Sequence, residues 1–184
     1  EGTFVIHTLV LDPADQGTIL AEVPNGAQAV ADLFEENGGQ LCGSLDLAGA
    51  TFTVVDCPDN NDCEDATPLE CGSALAGTNV NSSVDFNGLP QGVWYTFEGN
   101  GQDVTFSTCQ STSGFDTRLW LLTSDGGCAG QFELVDDNDD SCGSQSELTW
   151  YTHPDTTYYV YVSAWRTSAS TLEGDFTLTA TCAC

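Results

Sequence analysis

The densest set of oxygen ligands in the chain lies in the segment Asp136–Glu147, DDNDDSCGSQSE. Counted from its first residue, carboxylate or amide side chains occupy positions 1, 3, 5 and 12: Asp136, Asn138, Asp140 and Glu147. This spacing is typical of a calcium loop, because Ca²⁺ is a hard cation that gathers oxygen ligands. Position 6 is Ser141 rather than glycine, and strand-like sequence flanks the segment. The segment therefore predicts a calcium site without predicting an EF-hand.

A solvated acidic loop is the alternative interpretation of the same segment. Four of the five residues 136–140 are aspartates, and they repel one another unless a cation or water lies between them. Three further aspartates, Asp59, Asp62 and Asp65, form a weaker second candidate for cation binding. Calcium is therefore the cofactor that the sequence suggests.

Enzyme chemistry finds little support in the sequence. A Ser-His-Asp triad needs a histidine as base, yet His7 falls in a predicted strand and His153 precedes Pro154 in a predicted turn. No G-x-S-x-G nucleophile elbow is present. Nothing singles out an acid/base pair among the 28 acidic residues. We expect both histidines to be structural or surface residues and the protein to be non-catalytic.

The charge balance excludes two classes of partner. The 184 residues include 28 acidic ones against Arg118 and Arg166, which gives a net charge of −26. Binding to nucleic acid by phosphate neutralisation is excluded, because almost no cationic side chains are present. An anionic membrane surface is excluded for the same reason. No apolar run approaches the roughly 18 residues of a membrane span, so no membrane insertion is expected.

The cysteines favour disulfides over a zinc site. None of the nine is spaced as C-x2-C, and neither histidine lies near a cysteine pair. Disulfides point to an oxidising compartment. Because the count is odd, at least one cysteine is unpaired or bonded to another chain. The nine are Cys42, Cys57, Cys63, Cys71, Cys109, Cys128, Cys142, Cys182 and Cys184.

Two further features fit export to the exterior or the cell surface. The chain starts at Glu1 and contains no methionine. Cleavage of a secretory signal would leave such a start, and so would trimming of the chain. Asn81-Ser82-Ser83 is an N-glycosylation acceptor in a polar stretch, with Asn81 as the modified residue.

The first 57 residues have a mixed pattern. Apolar and β-branched residues predict strands at Thr3–Leu11, Thr18–Val23 and Thr51–Val55. A helix is predicted over Gly26–Asn37, with Asn25 as its N-terminal cap. The polar segment 57–63, which has a cysteine at each end, is interpreted as a junction. We expect an α+β extension over residues 1–57 and a second domain over 58–184.

Short strands separated by turn residues fill the second domain, and no helix is expected there. Alternation is clearest near the end, where Phe176, Leu178 and Ala180 share one face of a strand. Evenly spaced short strands favour a mainly β fold, a jelly-roll-like antiparallel β-sandwich. The predicted strands are Val93–Glu98, Asp103–Thr108, Thr117–Thr123, Gln131–Val135, Glu147–Tyr151, Thr157–Ala164 and Gly174–Thr181.

The four tryptophans suggest both core packing and sugar binding. Trp94, Trp120 and Trp150 fall within predicted strands and are expected in the core. Trp165 follows a strand and precedes a polar loop, so it is the candidate for an exposed ring. Together with Tyr159 and Tyr161 it would form a carbohydrate-binding surface.

Residues 61–182 resemble the bacterial pre-peptidase C-terminal (PPC-like) β-sandwich domain and its Cys-rich secreted relatives. The resemblance implies a jelly-roll-like sandwich without catalytic activity, carried by secreted proteins as an adhesive, targeting or carbohydrate-contacting module. Some members bind calcium. The stretches that carry it are NDCEDA from Asn61, GVWYTF from Gly92, VTFSTC from Val104, FDTRL from Phe115, DNDDSCG from Asp137, YYVYV from Tyr158 and GDFTL from Gly174.

Three hypotheses for function follow. The first is a structural subunit of an extracellular filament or sheath that binds copies of itself by β-strand addition, aided by intermolecular disulfides. The second is a carbohydrate-binding or adhesive module, and the third is an accessory domain of a secreted hydrolase. In the first, the added strand would consist of Thr3, Phe4, Val5, Ile6, Thr8, Leu9, Val10 and Leu11.

Overall fold

A computed structural model describes residues 43–46, 51–54, 57–83, 89–112, 114–165 and 173–183. The chain divides into two compact units, Glu1–Cys57 and Pro58–Cys184. In the first unit, β1 (Gly43–Asp46) and β2 (Thr51–Val54) form an antiparallel hairpin. The strands predicted at 3–11 and 18–23 and the helix predicted at 26–37 lie outside the described residues.

The second unit is a β-sandwich of two sheets. One sheet has the strand order β3-β5-β10-β7-β8, and the other has the order β4-β11-β6-β9. All neighbouring strands are antiparallel except β3 and β5, which are parallel. A short 3-10 helix, Cys63–Asp65, precedes β3. The strands are β3 (Thr67–Leu69), β4 (Ser73–Thr78), β5 (Gly92–Glu98), β6 (Asp103–Ser107), β7 (Thr117–Ser124), β8 (Phe132–Asn138), β9 (Glu147–Tyr151), β10 (Thr157–Ala164) and β11 (Asp175–Cys182).

The predicted mainly β sandwich is confirmed, with additions. The seven strands predicted beyond residue 58 are all present, and β8 continues past its predicted end at Val135 to Asn138. Strands β3 and β4 and the 3-10 helix were not predicted. Its purely antiparallel sandwich is corrected by the parallel pairing of β3 with β5, which brings Thr67 opposite Tyr95.

The core lies between the two sheets, and the five-stranded sheet is also covered on its outer face. Val93, Tyr95 and Phe97 of β5 point inward, whereas Trp94 belongs to a separate outer cluster. Strand β10 has seven consecutive buried residues, Tyr158–Ala164. Because successive residues of a strand face opposite sides, both faces of β10 are covered. The outer cluster consists of Cys63, Trp94, Leu122, Tyr159 and Tyr161.

Three disulfides join parts of the second unit that are distant in sequence. Cys63 bonds to Cys128, Cys71 to Cys182, and Cys109 to Cys142, with sequence separations of 65, 111 and 33. Cys57 is disulfide-bonded as well. Disulfide formation is thus confirmed for these cysteines, while Cys42 and Cys184 lie outside the described residues.

None of the helices in the described part of the chain is long and apolar enough to span a membrane.

Candidate functional site

The acidic segment is partly strand rather than loop. Asp136 and Asn138 belong to β8 and lie opposite Leu121 and Leu119 of β7. Since opposite residues of a ladder share a face, both side chains are on the core-facing side at the rim of the sheet. The register between β7 and β8 shifts near Val135, so β8 is bulged immediately before its acidic residues.

Hydrogen bonds tie this segment to the start of β9. The amide of Glu147 donates to Asn138 Oδ1 at 3.1 Å, and Ser141 Oγ donates to the Glu147 carbonyl at 3.1 Å. The side chains of Asn138 and Ser141 thus bind the main chain of Glu147. Within the described ranges, no group of three or more His, Cys, Asp or Glu side chains is arranged to hold a metal. Calcium binding by Asp136, Asn138, Asp140 and Glu147 stays a prediction.

A buried hydroxyl network fixes the connection between β8 and β9. Thr108 Oγ1 and Thr117 Oγ1 are 2.6 Å apart, and the Ser146 amide donates to Thr108 Oγ1 at 2.9 Å. Ser146 Oγ lies 2.6 Å from the Thr117 carbonyl and 2.8 Å from the Asp139 carbonyl. All three hydroxyl residues are buried. With the Cys109–Cys142 disulfide beside them, they hold the acidic connection in one conformation.

Arg118 is the only lysine or arginine in the part of the chain that the structure describes. Its guanidinium carbon lies 4.1 Å from the ring centroid of Trp120. Its Nε donates to Asp137 Oδ2 at 3.1 Å, and an Nη atom donates to the same oxygen. Trp120 Nε1 in turn donates to Ser163 Oγ at 3.0 Å. The Arg118 guanidinium is therefore bound on the outer face of the five-stranded sheet.

The three aspartates of the second candidate cation site differ in exposure. Asp59 and Asp65 are exposed, and Asp62 is half-buried. Burial raises the pKa of Asp62, and the like charges of Asp65 and Glu64 add to the rise, while a hydrogen bond from Asn61 opposes it. Cation binding by these aspartates stays a prediction.

The predicted aromatic binding surface is wrong for two of its three members. Tyr161 is fully buried, with its hydroxyl donating to the Pro90 carbonyl at 2.9 Å, and Tyr159 is buried beside Phe132. Both side chains point away from the core on the outer face of the five-stranded sheet. They are buried there because they pack within the outer cluster. Trp165 is half-buried.

The other tryptophans differ in burial. Trp94 is buried, as predicted, between Phe132 and Tyr161. Trp120 is partly buried and packs on the outer cluster. The prediction is wrong for Trp150, which is 36% exposed. Trp150 lies in β9, and β9 is at the edge of its sheet as far as the described strands go.

Strand β9 has a core-facing side chain, Trp150, that is only partly buried. Leu148 and Trp150 lie opposite Phe106 and Val104, whose side chains are buried in the core. They therefore face inward, yet only Leu148 is buried. Tyr151 points to the outer face and is 48% exposed. The edge of the sandwich at β9 thus presents two large aromatic side chains.

The main chain of β9 is also open along this edge. The Thr152 amide donates to the Gln102 carbonyl, 2.8 Å away, beside the end of the β6–β9 ladder. Because ladder bonds of antiparallel strands alternate, the peptide groups of Leu148 and Trp150 point toward β6, and those of Thr149 and Tyr151 point away from it. No residue that the structure describes bonds to these two outward-facing groups.

Asn81 and His153 were both predicted to lie at or near the surface. Asn81 has a left-handed backbone, with φ at 64°, in a turn, and the Ser83 hydroxyl bonds to Asn61. Glycosylation of Asn81 stays a prediction. His153 is exposed, with its ring 5.1 Å from that of Tyr151. His7 and the residues predicted for the assembly strand, 3–11, lie outside the described residues.

No protein-family model matches this chain, and no curated protein matches it. The chain is similar in structure to a periplasmic inhibitor of g-type lysozyme from Aeromonas hydrophila, PliG, with a TM-score of 0.42. The two are 14% identical, and the match covers 64% of this chain and 96% of the inhibitor. The likeness of residues 61–182 to the PPC-like domain stays a prediction.

Proposed function

We propose that this protein is an exported, non-catalytic structural subunit whose copies join by β-strand addition into an extracellular filament or sheath. The observation that supports the proposal best is Trp150. Its side chain faces the core, but it is 36% exposed, and no strand among the described residues pairs with β9 on its outer side. An added strand would cover that ring and bond to the outward-facing peptide groups of β9.

Disulfides support the export part of the proposal. Three of them bridge segments of one unit, and such bonds persist in oxidising environments outside the cytosol. The net charge of −26 is consistent with a salty exterior, where screening weakens the repulsion between copies. Because the number of cysteines is odd, one of them is available for a disulfide between subunits.

Electron microscopy and light scattering of the unreduced full-length chain test this function. We expect regular assemblies or concentration-dependent oligomers, formed more readily at high salt because salt screens the acidic surfaces. Comparison with and without a reductant separates disulfide-linked from non-covalent contacts. Single particles of monomer mass at every salt and protein concentration would contradict the proposal, and the carbohydrate-binding or adhesive module would then be the better hypothesis.

A further inference from the structure

We propose that β9 is the acceptor edge and that it binds the segment Thr3–Leu11 of a second copy, with Phe4, Ile6 and Val10 facing the core beside Trp150. This inference rests on the proposed function and specifies its contact.

The edges of the five-stranded sheet are protected against strand addition. Strand β3 has only three residues and contains Pro68, which lacks an amide donor. Strand β8 is bulged near Val135 and carries Glu133, Asp136 and Asp137. Short length, proline, bulges and charges are the features that block pairing at sheet edges.

The two edges of the four-stranded sheet differ in what an added strand would cover. Strand β4 exposes only the small side chains of Ala74 and Ala76, and its Leu75 already packs on the core. Strand β9 exposes Trp150 and Tyr151. Burial of apolar surface is the main source of association energy, so an added strand gains more beside β9.

Charge selects the occupant. Two copies, each with a net charge of −26, repel one another, and acidic residues at the contact would add to this repulsion. Thr3–Leu11 contains no Asp, Glu, Lys or Arg, and its one ionisable side chain is His7. Leu148–Tyr151 contains none, and the peptide group of Glu147 already bonds to Asn138 and Ser141. The contact between the two segments therefore adds no like-charge repulsion of its own.

The alternation of the segment selects its inward face. Phe4, Ile6, Thr8 and Val10 fall on one side of an extended strand, and Thr3, Val5, His7, Leu9 and Leu11 fall on the other. The first side lacks an ionisable group, whereas the second has His7 at its centre. Since burial of an ionisable group is costly, we assign the first side to the core beside Trp150.

Proline substitution at matched edge positions tests the acceptor. Thr149→Pro removes an outward-facing amide of β9 that takes no part in the sheet. Ala76→Pro does the same in β4, because the Asn79 amide donates to the Gly174 carbonyl at 3.3 Å and alternation turns the Ala76 amide outward. By sedimentation velocity on the full-length chain, we expect Thr149→Pro to weaken association by about tenfold or more. Ala76→Pro should associate like the unmodified protein.

A second pair of variants tests the donor without altering the sandwich. Ile6→Asn places an amide without a partner on the assigned inward face and should abolish association, whereas His7→Asn places the same amide on the outward face and should be tolerated. Equal effects of these two variants would overturn the assigned face. If the unmodified protein associates and Thr149→Pro associates equally well, the acceptor assignment fails while the proposed function stands. If the unmodified protein never associates, the proposed function itself fails.

Discussion

Arg118 and Asp137 lie on neighbouring strands, and the Arg118 guanidinium bonds to the Asp137 carboxylate while it stacks on Trp120. Residue 120 is directly opposite residue 137 in the ladder, so the pair is diagonal across β7 and β8. Both charged side chains are partly shielded, with exposures of 26% and 28%. In a strongly acidic chain this pair holds β8 against β7 just after the bulge.

Removal of this pair should lower stability modestly. We expect Arg118→Met and Asp137→Asn to be coupled by about 0.5–1.5 kcal/mol in a double-mutant cycle measured by urea unfolding. Arg118→Lys is the matched control, since it keeps the charge but loses the flat guanidinium that stacks and bonds at once. Additive effects of the two substitutions would show that the pair contributes nothing.

The phenol of Tyr95 should make stability fall at high pH. Burial raises the pKa of Tyr95 to about 12, although a side-chain hydrogen bond with Asn60 acts in the opposite direction. The folded protein therefore holds the proton more tightly than the unfolded chain, whose tyrosine ionises near pH 10. The resulting stability is complete below pH 10 and is lost as the pH rises toward 12.

Two pKa units correspond to about 2–3 kcal/mol, and urea unfolding between pH 9 and pH 12 measures the loss. Tyr95→Phe should flatten that part of the profile, and absorbance at alkaline pH should show one late-titrating tyrosine fewer. An unchanged profile in Tyr95→Phe would contradict the assignment.

The buried hydroxyl of Thr108 should contribute measurably to the free energy of unfolding, because it bonds to two other buried groups. Thr108→Val keeps the shape but leaves the Ser146 amide and the Thr117 hydroxyl without this partner. Loss of a partner for buried polar groups costs about 1–3 kcal/mol, so the midpoint of thermal unfolding should fall. Thr181→Val, at an exposed position of β11, is the control and should be close to neutral. Equal midpoints for the two variants would contradict the role given to the network.

Calcium binding by the acidic segment is testable through stability. A cation that binds only the folded state raises the unfolding midpoint with its concentration. We expect Ca²⁺ to do so and Asp136→Asn/Asp140→Asn to remove the effect, with isothermal titration as the direct measurement. Glu70→Gln/Asp103→Asn, at two exposed positions outside both candidate sites, is the matched control. No shift at millimolar Ca²⁺ would leave the solvated acidic loop as the interpretation.

The strands that could be predicted from sequence are those with β-branched and aromatic residues, such as β5, β10 and β11. Strand β4, SALAGT, has little β-propensity of its own, and its position follows from pairing with β11. Strand β3 is too short, and its proline argues against a strand. In both cases long-range contacts, which a local pattern does not contain, determine the structure.

The candidate site was predicted less well, for a related reason. Tyr159 and Tyr161 alternate with inward-facing valines, a pattern that predicts an exposed outer face, but β10 is central and covered on both sides. Trp150 also lies in a strand of apolar and aromatic residues, but this strand is at the edge of its sheet. Whether a side chain is covered therefore depends on the order of strands in the sheet. Trp150 faces inward, but its exposure at the edge of the sheet was not predictable from the sequence of β9.

The disulfide between Cys71 and Cys182 limits how far this unit can be stretched. Along the main chain, Pro58 and Ala183 are 125 residues apart, which corresponds to about 450 Å when fully extended. Through that disulfide, the covalent path is 13 residues to Cys71 and one from Cys182, or about 50 Å. A pull on the two ends therefore reaches a covalent limit after a short extension even if every strand has separated. Tension would pass through the unit without drawing out the polypeptide between the two cysteines.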